Sequence, residues 1–358
     1  MLLNQLIASK TIPNSLLCGD KEDTASSTLE QADNAVHYDD QEYSSDSDNS
    51  SESDTDELQP AILARDIILQ YFKRTGVDKH FSSRQWDPAV EEKVRKTIDS
   101  WNLGLSERVY NKYLATGLDI AATAYRHVTS VEVRAYIALN TFCTALFDDG
   151  FMGFEAMSAF APRFFRGQKQ MHPALDLFGQ NLLDMGKCFT SYGANALVTS
   201  AMDFANSEMF LKEGKNMTLI KESAQYVEFI RLKEGFGEAY AIFIWPRDMC
   251  PDTKRYIQAF PDTMNFINLI NDLFSYYKEA KAGESGTYLH SFGKVRGLTE
   301  PEVLQDLVKQ TITVVDRIRS LLGEGIERDC WEAFASGYTQ FHMHTDRYKL
   351  VEVLPEYF

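Results

Sequence analysis

The sequence has few cysteines, no long apolar run and no excess of basic residues. No stretch approaches the roughly 18–20 apolar residues that a membrane helix needs, and the amino-terminal segment lacks the basic and apolar regions of a signal peptide. The 358 residues carry 52 acidic and 36 basic side chains, a net charge of −16, which disfavours nucleic acid as a partner. Five widely spaced cysteines argue against a disulfide framework and against a Cys-x-x-Cys metal site: Cys18, Cys143, Cys188, Cys250 and Cys330. We therefore expect a soluble, cytoplasmic protein without a membrane span.

Most of the negative charge lies in the first 60 residues, which contain 14 acidic residues and two lysines. Within them, residues 39–57 are polar and offer no aliphatic side chain to bury, so ordering this segment would not be offset by burial. We predict a disordered acidic extension over residues 1–58 and a folded domain over residues 59–358. The extension is interpreted either as a solubilising tail or as a phosphorylated regulatory arm, because its serines precede acidic residues.

From residue 59 onwards, apolar residues recur at helical spacing and strand-like alternation is weak. Thr129 and Glu132 are expected to form a T-x-x-E capping box for a helix that runs into Asp148 and Asp149. The pattern predicts a single all-α domain of roughly ten helices. Beyond this helix, further helices are expected around residues 172–186, 193–212, 220–244, 255–279, 300–322 and 327–350.

Two adjacent aspartates, Asp148 and Asp149, close a predicted helix in the segment FDDG. The C-terminus of a helix carries partial negative charge, so two carboxylates there are unfavourable unless a cation compensates them. Mg²⁺ prefers such oxygen ligands and usually takes one or two carboxylates plus substrate phosphates. Two solvated aspartates at a helix end remain the alternative interpretation.

A polar stripe runs along the predicted helix that contains NLINDLFSYYKE, residues 268–279. This helix is apolar on most sides and is therefore expected to be buried. An amide oxygen, a hydroxyl and a carboxylate on successive turns are suited to one hard cation, and neighbouring Lys278 is suited to an anion. A polar network between helices is the alternative. The stripe recurs at spacings of three and four residues: Asn268, Asn271, Ser275 and Glu279.

Arg347 and Tyr348 lie near the end of the last predicted helix, in the segment HMHTDRYKL. Arginine is a bidentate phosphate donor and tyrosine adds a single hydroxyl donor. A surface Arg–Tyr pair would explain the segment equally well. His342 and His344 are two residues apart on a helix and face different ways, so we interpret both as structural.

Together, these segments resemble the class I terpene cyclases, and specifically the fungal trichodiene synthase family. NDLFSYYKE, residues 271–279, matches that family's second metal motif, (N/D)D-x-x-(S/T)-x-x-x-E, at every required position. FDDG resembles the aspartate-rich first motif, and DRY resembles the C-terminal Arg-Tyr pair. Residues 228–246 resemble the segment that carries a diphosphate-sensing arginine, here Arg231. The similarity covers roughly residues 130–350.

The resemblance implies a class I terpenoid synthase helical bundle that ionises farnesyl diphosphate and cyclises the carbocation to a sesquiterpene hydrocarbon or alcohol. It implies three Mg²⁺ ions, with Mn²⁺ as a substitute, and a homodimer. Asp148 would bind two of the ions, and the third would be bound by Asn271, Ser275 and Glu279. The diphosphate would be contacted by Arg231, Lys278, Arg347 and Tyr348.

One position departs from the family's first motif, because Met152 occupies a place where the family usually has an acidic residue and Glu155 lies further on. The resemblance leaves Asp148 as the principal ligand and implies that Asp149 pairs with Arg347 when the site closes. Two alternatives stay open. One is a prenyltransferase-type enzyme, although such enzymes use two aspartate-rich motifs. The other is a catalytically impaired homologue that acts as an interaction protein.

A carbocation would also need an aromatic wall and a closed cavity. Aromatic rings present a negative face to a cation without reacting with it. The glycine-rich segment 280–297 is expected to act as a closing lid. Candidates for the wall, each of which ordinary core packing also explains, are Tyr125, Phe142, Phe147, Phe210 and Trp245.

Overall fold

The computed structural model describes residues 53–82, 84–214 and 217–358. These residues form α-helices and short 3₁₀ turns and contain no β-strand, which confirms the all-α prediction. None of the described helices is long and apolar enough to cross a membrane. The α-helices are α1 (Ser53–Thr75), α2 (Pro88–Trp101), α3 (Glu107–Thr123), α4 (Val131–Asp148), α5 (Phe154–Phe165), α6 (Pro173–Met185), α7 (Ser191–Glu213), α8 (Ala224–Glu234), α9 (Gly237–Ile242), α10 (Phe260–Lys281), α11 (Tyr288–Arg296), α12 (Glu300–Leu322) and α13 (Ile326–His344).

Helix α10 lies at the centre of the bundle, where it packs against α1, α9, α12 and α13. Most of its residues are buried, as its nearly continuous apolar sequence predicts. Helix α4 packs against α3, α2 and α6 and is buried along most of its length. The two helices that carry the predicted metal motifs are therefore both held rigidly by neighbours on several sides.

Helix α1 begins at Ser53, so residues 53–58 are helical although the sequence analysis assigned them to the disordered extension. The division between an acidic extension and a folded domain at residue 58 stays a prediction. The rest of the predicted extension, residues 1–52, lies outside the described residues.

The cap of α4 is displaced by one residue from the predicted capping box. The Ser130 hydroxyl, not that of Thr129, accepts the hydrogen bond from the backbone N–H of Val133, at 3.3 Å. Glu132 instead accepts a hydrogen bond from Tyr136. Both Thr and Ser suit this position, so the local sequence alone did not distinguish them.

The single helix predicted over residues 220–244 is broken into α8 and α9. Phe236, between them, adopts a left-handed backbone conformation (φ 49°), which few non-glycine residues do. A Cβ on Gly235 would clash with the side chain of Asn268 on α10, and Gly237 also lies close against α10. The break therefore lies directly against α10, the helix that carries the predicted second metal motif. Only small residues allow the two backbones to come this close.

Two other predicted segments differ in detail. Helix α13 ends at His344, so Arg347 and Tyr348 lie on a following 3₁₀ turn, Asp346–Tyr348, and not on the helix itself. The glycine-rich segment 280–297 contains the last residues of α10, a short connection and the whole of α11. Its role as a lid stays a prediction.

Helices α3 and α4 approach each other closely at Gly117. A Cβ at this position would clash with the backbone carbonyl of Ala138, an atom that cannot move aside without shifting α4. Gly117 lies one turn from Tyr113, and Ala138 belongs to the helix that ends at Asp148. The close contact therefore fixes where the end of α4 lies.

Replacing Gly117 by Ala is expected to destabilise the fold. The overpacking costs about 1–3 kcal/mol, and the gain in helix propensity, about 1 kcal/mol, offsets only part of it. Urea unfolding of the variant should show a lower midpoint. Gly186→Ala is the matched control, because Gly186 has helical backbone angles and an added Cβ would meet only ordinary contacts. Equal stability of the two variants would contradict the proposed close packing.

Candidate active site

A cavity of about 410 Å³ lies between α4, α7, α10 and the turn after α13. Eight of the nine site residues predicted from the sequence line it, which brings together side chains up to 200 positions apart. The ninth, Asp149, lines a neighbouring cavity instead. The eight residues are Asp148, Arg231, Asn271, Ser275, Lys278, Glu279, Arg347 and Tyr348.

The wall formed by α10 carries an amide, a hydroxyl and a carboxylate on successive helical turns. The Ser275 hydroxyl donates to the backbone carbonyl of Asn271 at 2.5 Å, which leaves its oxygen lone pairs free. Glu279 is paired with Lys278 at 3.1 Å, and the side chains of both are 16% exposed. The three oxygen donors at i, i+4 and i+8 therefore lie along one face, as the spacing predicted.

The amide of Asn271 is oriented by its neighbours. His342 bonds the Tyr338 carbonyl through Nδ1 at 2.9 Å, which assigns the proton to Nδ1 and leaves Nε2 as an acceptor. Nε2 lies 3.3 Å from the Asn271 amide nitrogen, which therefore donates to it. The Asn271 oxygen consequently points the other way and accepts from Arg231 at 3.2 Å. His342, interpreted from the sequence as structural, thus fixes which atom of Asn271 can act as a ligand.

Arg231 binds four acceptors at the base of the cavity. Besides Asn271, it contacts Asp272 at 2.8 Å, the Asn268 carbonyl at 3.2 Å and Glu234 at 3.5 Å. Burial lowers the pKa of Arg231, but the charges of Asp272 and Glu234 outweigh that effect and raise it above its ordinary value. Arg231 and Asp272 therefore form a buried pair that joins α8 to α10, in which burial raises the pKa of Asp272 to about 7 against the opposing charge of Arg231.

The two aspartates at the end of α4 face different surroundings. Asp148 lines the main cavity and is exposed. Asp149 accepts a hydrogen bond from Tyr113 and pairs with Lys112 at 2.9 Å. Burial raises the pKa of Asp149, but these two contacts outweigh it and hold the pKa below its usual value. Arg347, the partner that the resemblance implies, is not in contact with Asp149 in this conformation.

Arg347 and Tyr348 lie on the short turn after α13, between the main cavity and its neighbour. The side chain of Arg347 is exposed and makes no hydrogen bond or ion pair with any described residue. The Tyr348 hydroxyl is 3.5 Å from the Asn271 amide nitrogen. An unpaired guanidinium beside a tyrosine hydroxyl at a cavity mouth is suited to an anionic ligand.

The family model described as trichodiene synthase (TRI5) matches residues 112–357. The chain belongs to this family. It is 36% identical over 270 residues to terpene synthase 29 of Postia placenta, covering 75% of this chain and 78% of that protein. It is 34% identical over 295 residues to monoterpene synthase 25 of the same organism, covering 82% and 87%.

A linalool/nerolidol synthase from Streptomyces clavuligerus has a similar solved structure. The TM-score is 0.54 at 17% identity, covering 72% of this chain and all of that one, so the likeness shows the fold. The class I terpenoid synthase bundle expected from the resemblance is thereby confirmed, and the protein is a terpene cyclase.

The aromatic wall of the cyclase's cavity differs from the predicted one. Tyr125, Phe142, Phe147 and Trp245 are buried in the core, and Phe210 is exposed; none of these five lines the cavity. Core packing, the alternative interpretation, therefore describes the first four. Besides His342 and Tyr348, the rings that line the cavity are Phe204, Phe236, Tyr240, Tyr338 and Phe341.

The donor set of the cyclase suits Mg²⁺, because the cavity presents amide, hydroxyl and carboxylate oxygens and no cysteine. Within the described ranges, no three His, Cys, Asp or Glu side chains are close enough to hold a metal ion by themselves. That fits an ion that takes one or two carboxylates and completes its shell with water and substrate phosphate. Asp148 on one wall and Asn271, Ser275 and Glu279 on the other would hold it.

The sequence analysis missed the site roles of three polar residues: Glu208 and His342, which line the cavity, and Asp272, which lines a neighbouring one. Asp272 and His342 determine how Arg231 and Asn271 are oriented, and Glu208 on α7 faces the cavity from a third side. Asp272 is the second residue of the (N/D)D motif, so its position was a usable signal. Glu208 lies in an otherwise ordinary helix and carried none.

Acid is expected to destabilise the cyclase through His342, whose pKa burial lowers to about 4. Because the folded-state pKa lies below the unfolded value of 6.5, the stability that the neutral ring contributes is present above pH 6.5 and is lost as the pH falls towards 4. His342→Gln should therefore be less stable than wild type at pH 7. This difference in the free energy of unfolding between wild type and variant should narrow by up to about 1.4 kcal/mol per pH unit on acidification.

Urea unfolding at several pH values between 7 and 4.5 measures this gap. His290→Gln, at an exposed histidine, is the matched control and should show a gap that does not change with pH. A constant gap for His342→Gln would mean that His342 is not held neutral in the folded protein.

Proposed function

We propose that the protein is a Mg²⁺-dependent sesquiterpene synthase. In this proposal it ionises farnesyl diphosphate, releases diphosphate and cyclises the carbocation to a hydrocarbon or an alcohol. The observation that supports this most strongly is one cavity with two chemically different parts. Oxygen donors and cationic side chains form one part of its lining, and aromatic rings form the other.

Mg²⁺, when bound, would act as a Lewis acid that stabilises the negative charge of the departing diphosphate. The chain's own residues would bind and orient that group. Arg347 has no competing partner among the described residues and would donate two parallel N–H groups. Tyr348 would add a hydroxyl, and Lys278 would add an ammonium that it shares with Glu279. These donors would act in a partly enclosed site, where electrostatic interactions are stronger than in water.

The aromatic interior would protect and shape the cation. Phe204, Phe236 and Tyr240 come from the α7 and α8–α9 side, and Tyr338 and Phe341 come from α13. Their ring faces can stabilise a passing positive charge without forming a bond to it, and they exclude the water that would quench it. The shape of this surface would select the ring skeleton of the product.

Geranyl diphosphate is the second candidate substrate. One relative that is 34% identical is named a monoterpene synthase, and monoterpenes arise from a substrate one isoprene unit shorter. The same mouth residues would serve both substrates, since the diphosphate is common to them. The homodimer and the cytoplasmic location stay predictions from the sequence.

Incubation with Mg²⁺ and farnesyl, geranyl or geranylgeranyl diphosphate, followed by gas chromatography–mass spectrometry, tests the proposal. A cyclic C15 product and diphosphate release are expected from farnesyl diphosphate, and a chelator should abolish both. Asn271→Ala should lower turnover by about 100-fold or more, because it removes a donor that stabilises developing charge. Asn265→Ala, on the same helix but outside the cavity, is the control and should retain wild-type turnover.

Three outcomes would contradict the proposal. Longer diphosphates formed in the presence of isopentenyl diphosphate would indicate chain elongation. A preference for geranyl diphosphate would replace the C15 assignment by the C10 one. Equal turnover of Asn271→Ala and wild type would exclude the metal wall proposed for α10.

A further inference from the structure

The wall of the cavity formed by the end of α4 supplies only one carboxylate. Asp148 faces the cavity, whereas Asp149 is held outside it. Met152 is packed in the core, with 6% of its surface exposed. Glu155 is exposed on the first turn of α5 and does not line the cavity. No further acid from α4 or the following connection therefore lies beside Asp148.

The carboxylate of Glu208 faces the same cavity from α7. The residue is only 7% exposed, and its side chain makes no hydrogen bond or ion pair with any described residue. Phe204, one turn earlier on α7, also lines the cavity, so this face of the helix points into it. Buried carboxylates are normally paired, because removing an ion from water is costly.

The electrostatic surroundings of Glu208 are predominantly negative and would favour a bound cation. Burial and the negative charge of Asp148 raise the pKa of Glu208 to about 8, and Glu234 adds to this. Lys212, one turn along α7, opposes the rise from a distance, but its ammonium contacts the Met157 sulfur at 3.5 Å rather than either carboxylate. Asp148 and Glu208 therefore line one cavity, and no positive group among the described residues is in contact with Glu208.

We propose that Glu208 is a second carboxylate ligand for the divalent cation that Asp148 binds, supplied by α7 instead of by the segment that follows Asp149. The inference rests on the proposed Mg²⁺-dependent function and names a further ligand within it. Mg²⁺ commonly takes one or two carboxylates together with substrate phosphates. Asp148 and Glu208 would form such a pair, and the bound cation would favour the ionised form of Glu208, which burial and Asp148 now disfavour.

Metal binding by the full-length chain tests this directly and does not depend on turnover. Mn²⁺ binding is measured by electron paramagnetic resonance in the presence of inorganic diphosphate, for wild type and for Glu208→Gln. The variant should bind Mn²⁺ more weakly by roughly tenfold or more. Glu213→Gln, at an exposed position on the same helix, removes the same charge and should bind as wild type does.

Thermal unfolding separates a ligand from a residue with a structural role only. Without metal, Glu208→Gln should be at least as stable as wild type, because the neutral amide removes an unpaired buried carboxyl. Mn²⁺ with diphosphate should raise the Tm of wild type and should raise that of the variant less. Lower metal-free stability with an unchanged Mn²⁺ affinity would overturn the proposal and assign Glu208 to the fold alone.

The variant Asn271→Ala distinguishes a failure of the Glu208 proposal from a failure of the proposed Mg²⁺-dependent function. If wild type binds Mn²⁺ with diphosphate and Asn271→Ala weakens that binding, the metal site of the proposed function stands. An unchanged Glu208→Gln in the same experiment would then exclude Glu208 alone. If wild type does not bind Mn²⁺ with diphosphate at all, the proposed function itself fails.

Discussion

The buried ion pair between Arg231 and Asp272 is the interaction on which the rest of the active site depends. It joins α8 to α10 with both side chains about nine-tenths buried. Removing one partner of such a pair typically costs about 3–5 kcal/mol, because the remaining charge is left without compensation. The same guanidinium also bonds Asn271 and the backbone of Asn268. The proposed metal wall of α10 and the helix break after α8 are therefore both in contact with one side chain.

The cations of the cavity differ in how free they are to bind an anion. Arg231 is saturated by acceptors, Lys278 shares its charge with Glu279, and Arg347 has no hydrogen-bond or ion-pair partner among the described residues. An arriving diphosphate would meet the least engaged group first, at the mouth, and would have to compete with carboxylates for the deeper ones. Asp149 is likewise already paired, so the Asp149–Arg347 contact implied by the resemblance requires Lys112 and Tyr113 to release it.

The features of the site that the sequence predicted well are those set by local spacing. Asn271, Ser275 and Glu279 share a face because the α-helix repeats every 3.6 residues, whatever surrounds it. The all-α class was predictable for the same reason. Where the prediction was wrong, tertiary contacts outweighed local preference. Residues 220–244 have the pattern of one helix, yet the helix ends at Gly235, where the backbone lies too close to Asn268 of α10 for any side chain.

By itself, the sequence determined the helical class, the positions of the metal motifs along their helices and the identity of the donor groups, since these depend on neighbours within a few residues. Only the tertiary structure decided which side chains face one another. It placed Glu208 in the same cavity as Asp148 and placed Asp149 in a neighbouring one. It also made His342 a partner of Asn271 across 71 positions of chain. Such pairings depend on how helices cross, which periodicity does not specify.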